Sequence, residues 1–73
     1  MLLTVNATKL RHQREQANMT PYRLALEAGL PLNSIYRLED GTTKMTNHLR
    51  AREIAKALGC KVEDICSAPE RSA

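Results

Sequence analysis

The chain has no phenylalanine and no tryptophan, and its 73 residues include only two tyrosines and two cysteines. Without large aromatics, the core has to be assembled from Leu, Ile, Val, Met and Ala, with help from Tyr22 or Tyr36. A chain this short buries only roughly 60% of its unfolded surface, so it makes one domain of modest stability that gains from self-association. Two cysteines, Cys60 and Cys66, are too few for a disulfide framework and point to a reducing, cytoplasmic setting. No apolar run approaches the ~20 residues that cross a bilayer. The opening "MLLTVN" has no basic flank and is too short for a secretory signal. No membrane is expected among the partners.

Catalytic patterns are missing as well. No Ser/His/Asp set, phosphate-cradling loop or pair of facing carboxylates stands out, and Glu63–Asp64 reads as a solvated helix start. His12, His48, Cys60 and Cys66 follow no common zinc spacing. Both cysteines read as small core residues. No enzyme, no metal and no cofactor are therefore expected. The net charge of +3 is a mild basic bias, compatible with a polyanionic partner.

What is present is helical periodicity with frequent punctuation. Residues 1–7 read as an arm or a short strand. Asn6 or Thr8 caps a first helix running to about Ala17, with Leu10, Arg14 and Ala17 on one face. Thr20 caps a second, Pro21 suits its first position, and Gly29 ends it with positive φ. Pro31 opens a third helix and Gly41 closes it. The segment "TTKMTN" reads as a polar loop. Thr46 or Asn47 then caps a fourth helix, in which Ala51, Ile54, Ala55 and Leu58 recur at helical spacing. A last turn, "KVEDIC", directs Val62 and Ile65 inward. "SAPERSA" reads as a disordered tail. The expected fold is all-α, a compact bundle of five short helices over residues 8–66, with a tail over 67–73.

Two short helices joined through a glycine turn at a steep angle make a helix-turn-helix. The residues "L-A-x-x-A-G-L" followed by "S-I-Y-R-L-E-D-G", and then "EIAKALGCKVEDI", resemble the Cro/C1-type (XRE) helix-turn-helix DNA-binding regulators. The resemblance covers roughly Leu10 to Ile65. It implies a lambda-repressor-like DNA-binding domain, with Leu24, Ala25, Ala28, Gly29, Leu30, Ile35 and Leu38 at structural positions. It also implies an ion pair between Arg14 and Glu39. On the third helix, Leu32, Asn33, Tyr36 and Arg37 match the positions that face base edges. Phosphate contacts are expected from Thr20, Tyr22, Arg23, Thr43 and Lys44.

This sequence departs from the family at three places. Pro21 stands where many members carry a phosphate-touching Gln. Pro31 replaces a Ser or Thr cap, and His48 replaces an apolar residue. The base-contact scheme is therefore this chain's own. The expected function is a sequence-specific transcriptional regulator, a small phage-type or bacterial repressor binding a palindromic operator on double-stranded DNA as a homodimer. The alternatives are an antitoxin with a small protein partner, or a protein-interaction module that keeps the fold.

Overall fold

The computed structural model describes residues 2–67. Strand β1 is Leu2–Val5, followed by helices α1 (Ala7–Gln16), α2 (Pro21–Ala28) and α3 (Leu32–Asp40). Strand β2 (Met45–Asn47) leads directly into α4 (His48–Leu58). A single 3-10 turn, Val62–Asp64, precedes a two-residue strand β3, Cys66–Ser67.

Helices α1, α2 and α4 begin where a side chain satisfies a free backbone N–H. The Asn6 carboxamide oxygen accepts from the Lys9 N–H at 3.0 Å, and Asn47 accepts from Arg50 at 2.8 Å. Thr20 accepts from Arg23 at 3.1 Å, with Pro21 at the first helical position. These contacts choose Asn6 over Thr8 and Asn47 over Thr46. Pro31 gives α3 no side-chain cap. The sharp α2–α3 corner depends on Gly29, whose φ of 70° is left-handed. The Leu30 N–H then reaches back to the Ala25 carbonyl at 2.9 Å.

The expectation of an all-α bundle of five helices needs correction. Among the described residues, four α-helices are accompanied by a three-stranded sheet of order β2-β1-β3, antiparallel throughout. The segment "TTKMTN" is not all loop, since Met45, Thr46 and Asn47 pair with Thr4, Leu3 and Leu2. The expected fifth helix is only the 3-10 turn. Ser67, assigned to the tail, pairs with Thr4, while the rest of that tail, 68–73, lies outside the described residues. Strand β1 shows why the N-terminus is drawn in. Leu3 and Val5 are buried while Thr4 between them is exposed, the period of two of a half-buried strand.

Helix α2 packs against both α3 and α4, and α1 packs against α3. The fully buried side chains at the centre are Leu10, Leu24, Ile35, Ile54 and Ile65. Neither tyrosine joins them: Tyr22 is 58% exposed and Tyr36 is 50% exposed. Their helical positions explain this correction. Leu24, Ala25 and Ala28 set the inward stripe of α2, and Ile35, Leu38 and Glu39 that of α3, and both tyrosines fall off those stripes. Cys66 is buried and Cys60 half-buried, both as free thiols. Burial pushes both thiols up from their ordinary range, so they stay protonated at neutral pH.

A Leu3→Ala variant tests the packing of β1. Urea denaturation should show a loss of about 2–5 kcal/mol, the cost of truncating a buried leucine. A change under about 0.5 kcal/mol, as for an exposed site, would show that β1 does not pack on the core.

Candidate nucleic-acid interface

The outward side of α3 is the candidate interface, and its orientation is set from the buried side. Glu39 lies on the inward stripe with Ile35 and Leu38. The Arg14 guanidinium donates to both of its carboxylate oxygens, from Nε to Oε2 at 2.6 Å and from Nη2 to Oε1 at 3.0 Å. Nη1 of the same arginine donates to the Met19 carbonyl at 2.7 Å. This bidentate fork holds α1, the α1–α2 turn and α3 at fixed distances. The two side chains are only 13% and 7% exposed. The bond to Glu39 outweighs burial and raises the Arg14 pKa above its ordinary value, so the charge persists. Arg11 adds a looser contact to Glu39 at 3.8 Å from an exposed position. No buried side-chain nitrogen or oxygen among the described residues lacks a partner.

With Glu39 held, the 100° step of the helix turns Asn33, Tyr36 and Arg37 outward, and all three are exposed. Leu32 differs from the outward position expected of it. It lies three and seven residues before Ile35 and Glu39, on the border of their stripe, and is half-buried against the core. The end of α3 is closed by Asp40, whose Oδ1 accepts from the Thr42 N–H at 2.7 Å. Hydrogen bonds from the Thr42 side chain and backbone hold this carboxyl below the usual carboxylate range. The Thr43 N–H then donates to the Arg37 carbonyl at 3.0 Å.

A groove of about 300 Å³ runs beside the start of α3, with Asn33, Arg37, Thr43, Met45, Thr46 and Arg50 in its lining. No carboxylate lines it. Three residues singled out in the sequence, Asn33, Arg37 and Thr43, are thus brought together. Lys44 is exposed next to them, and its carbonyl is fixed by the Val5 N–H at 2.8 Å. Thr20, Tyr22 and Arg23 gather instead at the start of α2, outside the groove. Arg23 is turned toward Glu27 at 3.0 Å, an exposed pair that an incoming phosphate can displace at little cost. The residue missed in the sequence is Arg50, which brings a second guanidinium to the groove from α4. Its one sequence signal is its place three residues after the Asn47 cap.

Removing one member of the Arg14–Glu39 pair strands the other. Glu39→Ala should cost about 3 kcal/mol in urea denaturation, whereas the double variant R14M/E39L should recover most of that loss. Equal, small losses in both variants would show that the pair is only a surface contact.

Comparison with known structures places the fold. The chain superposes with a TM-score of 0.76 on native PhpD with cadmium atoms, at 24% identity. It matches PhpD with cadmium complexed with hydroethylphosphonate at a TM-score of 0.75, and a point mutant of hydroxyethylphosphonate dioxygenase at 0.76, both again at 24% identity. In each case the match covers 97% of this chain but only 15% of the other, so the chain spans a small part of those proteins. At this identity the likeness concerns the fold alone. No curated protein matches the chain. Among the described residues no helix is long and apolar enough to cross a membrane, and no group of three or more His, Cys, Asp or Glu side chains is placed to hold a metal ion. The sequence profile of the Cro/C1-type helix-turn-helix DNA-binding domain matches residues 9–70, and the chain belongs to that family.

Proposed function

We propose that the chain is a sequence-specific transcriptional regulator, a small phage-type or bacterial repressor that acts in the cytoplasm and binds a palindromic operator as a homodimer. One observation carries this reading. The exposed flank of α3 presents Asn33, Tyr36 and Arg37 from a helix locked by a buried ion pair, beside a groove with two arginines and no acid.

An α-helix fits the major groove of B-form DNA, which is about 12 Å wide. Asn33 offers a donor and an acceptor to adenine. Arg37 donates two hydrogen bonds to guanine or reaches a phosphate. The Tyr36 ring and the exposed remainder of Leu32 pack on thymine methyl groups. Thr20 spends its oxygen on the Arg23 N–H and keeps its O–H as a donor for phosphate, with Tyr22 and Arg23 beside it. Thr43 and Lys44 serve the backbone on the other side of α3, as Arg50 does from α4. These contacts set register and salt dependence, and the α3 side chains set sequence. Two copies on a twofold operator would place their α3 helices about one turn of DNA, ~34 Å, apart.

A second reading, a protein-interaction module without DNA binding, is favoured by two observations. The matching fold makes up 15% of a mutant hydroxyethylphosphonate dioxygenase, a much longer chain. Tyr22 and Leu26, one turn apart on α2, are 58% and 60% exposed.

Selection from random duplexes, followed by titration over a range of salt, separates these readings. Asn33→Ala should change the preferred sequence. Lys44→Ala should weaken all duplexes alike and flatten the logarithmic salt slope by about one unit. Equal weakening of every duplex by both variants would remove Asn33 from base reading. No salt-dependent binding to any duplex would leave the interaction module standing.

A further inference from the structure

The outward side of α4 carries a pattern unrelated to the α3 face. Leu49, Arg52, Glu53 and Lys56 follow one another at i, i+3, i+4 and i+7, which aligns them as a single stripe. All four are exposed, and Leu49, at 70%, is the most exposed large apolar residue among those described. Arg52, Glu53 and Lys56 enter no ion pair among the described residues. Beside the stripe lies a hollow of about 290 Å³, into which Arg52, Glu53 and Lys56 also face. Cys60 and Val62, both half-buried, form its apolar wall.

We propose that this stripe joins two copies of the chain, with their α4 helices antiparallel about a twofold axis between Arg52 and Glu53. The inference rests on the homodimer of the proposed regulator and locates its interface. A twofold contact is self-complementary: if one residue meets another, the second meets the first in return. In the antiparallel register Arg52 of each copy meets Glu53 of the other, giving two reciprocal ion pairs. The same register sets Leu49 against Lys56 of the second copy, whose methylene stem covers it. Leu49 then reaches the rim of the hollow, where the Cys60–Val62 wall receives its methyl groups. A parallel arrangement would oppose Arg52 to Arg52 and Glu53 to Glu53. A nucleic acid laid on this stripe would meet Glu53 at its centre, so the charge pattern selects a second copy. Ion pairs between such exposed side chains contribute little, so the free dimer is weak, and a duplex carrying both half-sites tightens it through effective concentration.

Sedimentation equilibrium of the full chain tests this. The wild type should show a reversible monomer–dimer equilibrium, and Leu49→Glu should raise its dissociation constant at least about tenfold. Glu53→Arg should also weaken the dimer, and the exchange R52E/E53R should recover wild-type association to within about threefold, as coupled neighbours do. The circular dichroism of these surface variants should match the wild type. Three results overturn the interface: a wild type that stays monomeric at millimolar concentration, an unchanged constant in Leu49→Glu, or an exchange that recovers nothing. A mixed-sequence duplex at low salt, titrated with the wild type in parallel, probes the DNA reading separately. Dimers that respond to these variants but bind no duplex support the interface and sink only the regulator.

Discussion

The structure turns on the fork that Arg14 makes with Glu39. The core around it is aliphatic, and burial of aliphatic surface has no preferred direction. Such a core turns the Ile35–Leu38 stripe of α3 inward but leaves the finer rotation of the helix about its axis to polar contacts. A planar guanidinium bound through two nitrogens to one carboxylate fixes that finer rotation. The third nitrogen, on the Met19 carbonyl, ties the same arginine to the turn that leads into α2. A buried pair of this kind adds little net stability compared with well-packed apolar residues. What it contributes is geometric: the face opposite Glu39 has one orientation, and Asn33 and Arg37 lie on that face.

A second constraint comes from size. Four short helices in so short a chain leave much of their inner surface uncovered. The sheet recovers some of that burial, because β1 at its centre directs Leu3 and Val5 into the core. It also has a local effect on the candidate interface. The Val5 N–H holds the Lys44 carbonyl, and the pairing of β2 with β1 leads straight into the Asn47 cap of α4. The N-terminal strand therefore positions Lys44 and Arg50 beside α3, although it comes nowhere near that helix in sequence.

The elements readable in the sequence are those set by contacts within a few residues. Asn6, Thr20 and Asn47 cap neighbours three positions on, and Gly29, Gly41 and Gly59 take the left-handed conformations that end helices. The Arg14–Glu39 pair was accessible through family resemblance, since nothing local links residues so far apart. Strand β2 was hidden for the same reason. Two of its three side chains are exposed, it carries no apolar alternation, and its partner β1 lies at the other end of the chain. Scarcity of aromatics argues for a tyrosine in the core, but helical phase decides otherwise and leaves both tyrosines exposed. The same phase sets Leu32 at the border of the inward stripe, half-buried rather than fully outward. The place of Arg50 three residues after the Asn47 cap says nothing of the groove, and only the approach of β2 and α4 to α3 brings it there.

Net charge alone understates what the α3 flank can attract. The acids near it are committed elsewhere: Glu39 to Arg14 inside the fold, Glu27 to Arg23 on α2, and Asp40 to the Thr42 N–H beyond the helix end. Asp64 accepts from the Lys61 N–H on another part of the molecule, and Glu53 sits on the outward stripe of α4. The lining of the groove beside α3 holds Arg37 and Arg50 and no carboxylate. A concave surface with charge of one sign focuses its field, so a small overall surplus becomes a strong local potential. The α4 stripe, in contrast, alternates its signs about a central arginine and glutamate. A surface of one sign suits a polyanion, and a surface whose opposite charges face each other across a twofold axis suits a copy of itself. The same few charges, sorted between two helices, thus separate the two kinds of contact that the proposed dimeric regulator has to make.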